Sequence, residues 1–427
     1  MTTRALMIFA LLLIADFAAA DVATDLDIGG EVRMRGYDLE NMWDADSDQN
    51  GDRWSLFRQR TRLHLRARLD RGVTGFVRIA NQHWGEGVTD ADAWEADNKS
   101  NKLFVDAAWI DAPRVFDLPV SLRFGRQSVM YGSGFVLFDG QSQTASTSTY
   151  LDGVRAGIDI ADAVRLDLLY FKDQENVRTD AACDDITIGG AYFSWTAGGD
   201  REAYVLRRRD EAGGKDIAMV GARLKGAAVN VLDYEIEGAV QRGDAATGRS
   251  QDAWGCKSEF GWTIESAPAA PRFFVGFTGM SGDDPSTPAN ERWDVFYGGW
   301  PQFGDLLAWT NLNLGPGNAV AGLDPGYATG STTGGEVVYG NMLMPSVGLE
   351  VRPRSDLGVE VSYSPMRFHQ APDASDDLGI YAQLHVKYRY SPQLAFALYA
   401  AMLEPGEAYG PDADTIHEVF WEASLTF

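Results

Sequence analysis

Apolar and polar residues alternate with period two along this chain, in segment after segment, up to its last residue. In FRQRTRLHLRARLD, Phe57 to Asp70, the even positions Arg58, Arg60, Arg62, His64, Arg66 and Arg68 oppose Phe57, Leu63, Leu65, Ala67 and Leu69. In an earlier segment Leu26, Ile28, Val32 and Met34 oppose Asp27, Glu31, Arg33 and Arg35. The alternation recurs over 154–160, 164–170, 232–241, 347–352, 357–363, 380–388 and 394–400, and closes in VFWEASLTF, where Val419, Trp421, Ala423, Leu425 and Phe427 share one parity. Successive side chains of a strand point to opposite faces, so each segment predicts a two-faced β-strand.

The connections fall into two kinds. Residues 70–72, 161–163, 354–356 and 391–392 fit tight turns, whereas 42–53, 85–100, 173–184, 281–292, 314–340 and 404–414 are long and rich in Gly, Asp, Asn, Ser and Thr. Short turns alternating with long loops are expected of strands that end on the two sides of a membrane. In hydrocarbon every backbone N–H and C=O needs an internal partner, so a spanning sheet must close on itself. The predicted fold is all-β: one transmembrane antiparallel β-barrel over residues 21–427. About 16 to 18 strands fit, with 18 favoured at roughly 22 residues per strand and connection. A barrel of that size encloses an aqueous lumen. A terminal strand ending on an aromatic agrees with this.

Residues 1–20 read differently. A basic start at Arg4, an apolar run from Ala5 to Ile14 and the small residues Ala18–Ala20 predict a cleavable signal peptide. No later apolar run is long enough for a membrane-spanning helix. The expected location is the outer membrane of a Gram-negative cell. Export makes a Cys183–Cys256 disulfide chemically feasible, but no metal-binding or CxxC spacing occurs.

The 427 residues carry 61 Asp and Glu against 37 Lys and Arg, a net charge of −24. An acidic, exported chain is not a nucleic-acid binder. There is no GxSxG motif, and the five histidines form no nucleophile pairing, so no catalytic residue is assigned and no enzyme is expected. A membrane-embedded hydrolase and a purely adhesive or structural barrel are the readings from other classes.

Positive charge is nonetheless concentrated on one strand. Five like charges on one face repel one another and need counter-charges or an anionic ligand. In a barrel Arg58, Arg60, Arg62, Arg66 and Arg68 all face the lumen, beside Arg33, Arg35, Arg123, Arg155, Arg165 and Arg352 and the carboxylates Asp27, Glu31, Asp159, Asp167, Glu235, Glu237, Glu350 and Glu360. Some arginines then brace the wall and the remainder form an anion-selective constriction. Guanidinium suits carboxylate-bearing solutes because it donates two parallel hydrogen bonds to one carboxylate. The loop Asp46-x-Asp48-x-Asn50-Gly51 matches half of a calcium loop, but Phe57 stands at its twelfth position, so it is at most a weak calcium site beside a solvated-loop reading. No other cofactor is expected.

FRQRTRL (57–63), LRFGRQSVMYG (122–132), YLDGVRAG (150–157), SGDD (281–284) and ERWDVFYGGWPQFGD (291–305) resemble, in order, the alginate export family of outer-membrane barrels. The resemblance implies an 18-stranded monomeric barrel in outer-membrane lipid. It also implies an arginine-lined channel through which an acidic polysaccharide passes, with periplasmic export partners. Arg58, Arg60 and Arg62 match the family's arginine-bearing strand, Arg155 its DGVR strand and Arg126 its GRQ strand, which places Arg126 in the pore-lining set. Strict alternation from Leu122 and Phe124 instead puts Arg123 inside and Arg126 outside, unless a bulge intervenes. An uptake porin for small anions or sugars is the alternative on the same wall.

Overall fold

The computed structural model describes residues 23–41, 53–84, 103–139, 151–173, 186–211, 214–229, 231–297, 306–307, 312–313, 319–320, 340–371 and 375–427. Eighteen strands among these form one closed antiparallel sheet. They are β1 (Ala23–Glu40), β2 (Trp54–Leu69), β3 (Thr74–Trp84), β4 (Leu103–Ala112), β5 (Val120–Gln127) and β6 (Leu151–Ala161). Next come β7 (Val164–Asp173), β8 (Ile186–Trp195), β9 (Asp200–Asp210), β10 (Lys215–Val229), β11 (Leu232–Ala246) and β12 (Arg249–Thr263). The last are β13 (Arg272–Met280), β14 (Met342–Arg354), β15 (Leu357–Phe368), β16 (Asp377–Arg389), β17 (Leu394–Pro405) and β18 (Ile416–Thr426).

Each strand pairs with its sequence neighbours, and β1 pairs with both β2 and β18. At the closing seam Gly30 and Phe427 exchange backbone hydrogen bonds of 2.8 and 3.1 Å. The terminal aromatic is thereby part of the ladder. Higher up, Trp421, Gly36 and Phe57 share one outward row across β18, β1 and β2. The rings of Phe57 and Trp421 approach to 5.8 Å, and the Trp421 indole covers Gly36 so closely that any Cβ there would overlap it. The glycine leaves room for an aromatic clasp over the seam.

Outward side chains form an exposed apolar band that includes Ile28, Leu63, Val77, Val220, Val275 and Val347. So much exposed apolar surface marks a face in contact with lipid. The connections sort as expected. Residues 70–73, 162–163, 355–356 and 390–393 are tight at one end, where Arg71 takes a left-handed conformation and Leu69 N–H bonds Val73 C=O at 2.8 Å. The opposite end carries the long connections, although β9–β10 and β11–β12 are joined there by short ones; in bacterial outer-membrane barrels the short turns face the periplasm.

The interior differs between its two halves. Toward the long-loop end inward positions are apolar: Leu39, Leu56, Leu206, Ile217 and Leu403 are buried there. They pack with two loops that fold into the barrel, carrying Phe135, Val136 and Leu137 on one and Trp293, Phe296 and Tyr297 on the other. The loops are joined by hydrogen bonds from Phe138 N–H to Tyr297 C=O (2.7 Å) and from Tyr297 N–H to Val136 C=O (3.3 Å), and Phe135 stacks on Trp293 at 5.5 Å. Toward the short-turn end the inward positions are charged.

Candidate functional site: the charged lumen

The arginine row faces inward as its parity requires, but its members are not equivalent. Arg58, Arg60 and Arg62 on β2 are buried, with Arg33 and Arg35 of β1 beside them. Arg33 stands opposite Arg60, Arg35 opposite Arg58 and Glu31 opposite Arg62. The counter-charges are few and shared. Glu31 binds Arg60 at 2.6 Å and lies 3.9 Å from Arg62, while Glu422 on β18 binds Arg35 at 2.6 Å and lies 4.0 Å from Arg33. Asp106 on β4, itself buried, lies 3.0 Å from Arg62 and also pairs with Arg78 of β3. Such cations sit in the wall as a braced network.

Lower on the same strand the row opens to water. Arg66 and Arg68 are 36% and 47% exposed and pair with Asp27 (3.4 Å) and Asp25. Arg66 also lies over the Phe76 ring, which stacks between His64 and Trp109. Arg123 continues the strip, 4.0 Å above Trp109 and bonded to Asp111 at 2.9 Å. Directly opposite Arg123 on β6 is Arg155, which lies beside the Tyr131 hydroxyl and has no carboxylate at ion-pair distance among the described residues. Arg165 completes the cluster: it donates to Asp159 (2.7 Å), Asp167 (2.9 Å) and Ser121 (3.2 Å), its guanidinium lying over Gly157, where a Cβ would displace it. Arg352 is exposed at the short-turn mouth and bonds Glu350 at 2.7 Å.

The infolded loops are tied to the facing wall. Tyr131 donates to Asp167 at 2.8 Å and stacks on Tyr192 at 4.1 Å, and Ser133 donates to Glu237 at 2.8 Å. Burial and the Asp167 carboxylate raise the Tyr131 phenol, so it stays a neutral donor. Behind it Arg223 bridges Glu202 (2.8 Å) and Glu235 (2.9 Å). In the other loop Asp294 takes ion pairs from Arg208 (3.0 Å) and Lys215 (2.9 Å). Burial raises its carboxyl, but the two cations outweigh that and hold it well below the usual carboxylate range.

Arg126 is a correction. Gln127 and Leu151 beside it are buried inward, whereas Arg126 points outward with Asp152, which it binds through two bonds of 2.9 and 2.8 Å. The register from β4 to β6 is unbroken at this point, so no bulge turns Arg126 inward. It does not line the pore. Asp46, Asp48, Asn50 and Cys183 lie outside the described residues, while Cys256 is on the outer face of β12. Sequence reasoning missed Asp106, Glu422, Arg78 and Asp294. Glu422 has lumen parity in the terminal strand and was readable; Asp106 sits where the β3–β4 register shifts between Arg78 and Ile79, which breaks the alternation that would reveal it.

A closed 18-stranded sheet with a lipid-facing apolar band and a charged interior defines an outer-membrane β-barrel channel. The chain belongs to the Alginate export family, whose description matches residues 24–421. No curated protein matches it in sequence. Among solved structures it is similar to Acinetobacter baumannii OccAB1, at 10% identity and a TM-score of 0.61, covering 95% of this chain and 97% of that one. Pseudomonas aeruginosa OccK2 (OpdF) matches at 12% identity and a TM-score of 0.60, covering 96% and 99%. The same OpdF solved in complex with glucuronate matches at 12% identity and a TM-score of 0.57, again covering 96% and 99%. At these identities the likeness is one of fold.

Proposed function

We propose that the protein is a passive channel for anionic saccharides, an alginate-like acidic polysaccharide or its oligosaccharides, selected by the guanidinium groups of the lower lumen. The observation that carries this reading is the cross-strand pair Arg123–Arg155. Like charges directly opposite are unfavourable unless an anion completes them, and Arg165 stands on the adjoining strand β7, with Arg66 and Arg68 farther round the wall on β2. Successive carboxylates exchange water for guanidinium hydrogen bonds. Asp27, Asp111 and Asp159 compete for the same cations and keep each site weak enough to release its occupant. The buried Arg58, Arg60 and Arg62 hold the wall in shape. Residues 1–20 direct export, and the barrel works as a monomer with periplasmic partners feeding it.

Family membership favours a polymer leaving the cell, whereas OpdF in complex with glucuronate favours uptake of a single uronate. Current block separates them. Polyuronate is expected to block a single-channel current from the short-turn side at concentrations where neutral dextran of equal length does not. Block by monomeric glucuronate alone would support the uptake reading, and equal block by dextran would remove the anionic-saccharide reading altogether.

A further inference from the structure

The outer face of the barrel holds a polar row that the channel reading does not use. At one register across six strands stand Arg126 (β5), Asp152 (β6), Lys172 (β7), Thr187 (β8), Arg209 (β9) and Asp216 (β10), each directly opposite the next. All point away from the lumen, for the residues alternating with them, Leu151, Phe171, Ile186, Ile188 and Ile217, are buried inside. The next outward row toward the short-turn end contains Phe124, Val154 and Tyr170, followed by Gly189 and Arg207. Phe124 and Tyr170 are exposed members of the lipid-facing band, and so is Val205, two residues along β9 from Arg207. The polar row therefore runs along the upper edge of the hydrocarbon band, at the long-loop end.

The end carboxylates are already held. Asp152 accepts two bonds from Arg126, and Asp216 accepts two bonds of 2.6 Å from Arg207 and lies 3.9 Å from Arg209. Between them Thr187 offers a hydroxyl flanked by the cations Lys172 and Arg209, which are two inter-strand spacings apart, about 10 Å. Below it Gly189 adds no side chain between Tyr170 and Arg207, leaving a niche walled by three cations and a hydroxyl. Arg207 and Arg209 are 64% and 58% exposed.

The geometry points to a phosphate-binding niche on the outer wall, centred on Thr187 and formed by Lys172, Arg207 and Arg209, whose occupant is the phosphorylated sugar headgroup of an outer-leaflet glycolipid. Phosphate matches the site because guanidinium and ammonium donors satisfy its oxygens through charge-assisted hydrogen bonds. Lipid is the source because the niche opens sideways, level with headgroups and above the acyl-facing Tyr170 and Val205. A solute in the lumen cannot reach it.

Full-length protein in detergent tests this by native mass spectrometry with bisphosphorylated lipid A, its dephosphorylated form, phosphatidylglycerol and inorganic phosphate. Wild type is expected to hold bisphosphorylated lipid A at least about tenfold more tightly than the dephosphorylated form, as two or more charge-assisted bonds require. Lys172→Gln with Arg209→Gln should abolish the difference, Arg209→Lys should retain part of it, and Asp216→Asn, which frees both arginines, should tighten binding. Heat-modifiable migration confirms that each variant is folded, and the lipid comparison on wild type needs no variant. Equal affinity for both lipid A forms, equal binding of phosphatidylglycerol, competition by millimolar inorganic phosphate, or a protein dimer displacing lipid would each overturn the proposal.

Discussion

Arg33 and Arg60 face each other across β1 and β2, both buried, with Glu422 4.0 Å from Arg33 and Glu31 2.6 Å from Arg60. Glu31 and Glu422 divide their charge among four arginines and so offset the repulsion between the two opposed guanidiniums. Removing one partner of a buried ion network leaves charge uncompensated and costs about 3–5 kcal/mol, whereas replacing both partners by apolar groups costs far less. Glu31→Gln should therefore lower the urea midpoint of unfolding in detergent strongly, and Glu31→Leu with Arg60→Leu should recover much of it. A double variant no more stable than Glu31→Gln would argue against the network.

Asp106 is a second keystone. Its carboxylate serves both Arg62 and Arg78 at a bulge. Asp106→Ala is expected to destabilise the barrel by a comparable amount, about 3–5 kcal/mol, while Asp111→Ala, which frees the partly exposed Arg123, lowers the unfolding midpoint less. Unfolding followed by tryptophan fluorescence compares the two.

The Asp294 anchor gives a pH dependence of definite sign. Its carboxyl is depressed in the folded protein by Arg208 and Lys215. A depressed carboxyl stabilises at pH above its unfolded value of about 3.9, and that contribution is lost as pH falls toward the folded value. Channel noise from the infolded loops should thus be constant from neutral pH down to about pH 4 and increase below it. Asp294→Asn should show the increased noise at pH 7 already.

The seam is predicted to tolerate no side chain beneath Trp421. Gly36→Val forces the indole off the Phe57 ring, and deletion of Phe427 removes both hydrogen bonds to Gly30. Each should reduce the heat-modifiable, folded fraction in outer membranes, whereas Gly75→Ala, with open space around its Cβ position, should not.

Strand faces were readable wherever alternation was unbroken. Arg58 to Arg68, Arg123, Arg155 and Arg165 have the inward face their parity requires. Arg126 shows the limit of motif matching, since the alternation from Phe124 placed it outside while its motif placed it with the pore residues. Two features have no period to read. The buried state of Arg58, Arg60 and Arg62 depends on partners on other strands, Gln82 for Arg58, Glu31 for Arg60 and Asp106 for Arg62. The interior apolar core depends on loops turning inward; its only sequence signal is the apolar content of FVLF (135–138) and WDVFY (293–297) within otherwise polar loops.

The measurement that bears most directly on the channel reading is the reversal potential of single channels in a KCl gradient. Wild type should be anion-selective. Arg123→Glu with Arg155→Glu should move the potential toward or past zero, and Arg66→Glu should add to that shift, while Arg126→Glu on the outer wall leaves it where it was. A cation-selective wild type, or a potential unmoved by the Arg123 and Arg155 substitutions in folded channels, would contradict selection by the lower luminal arginines.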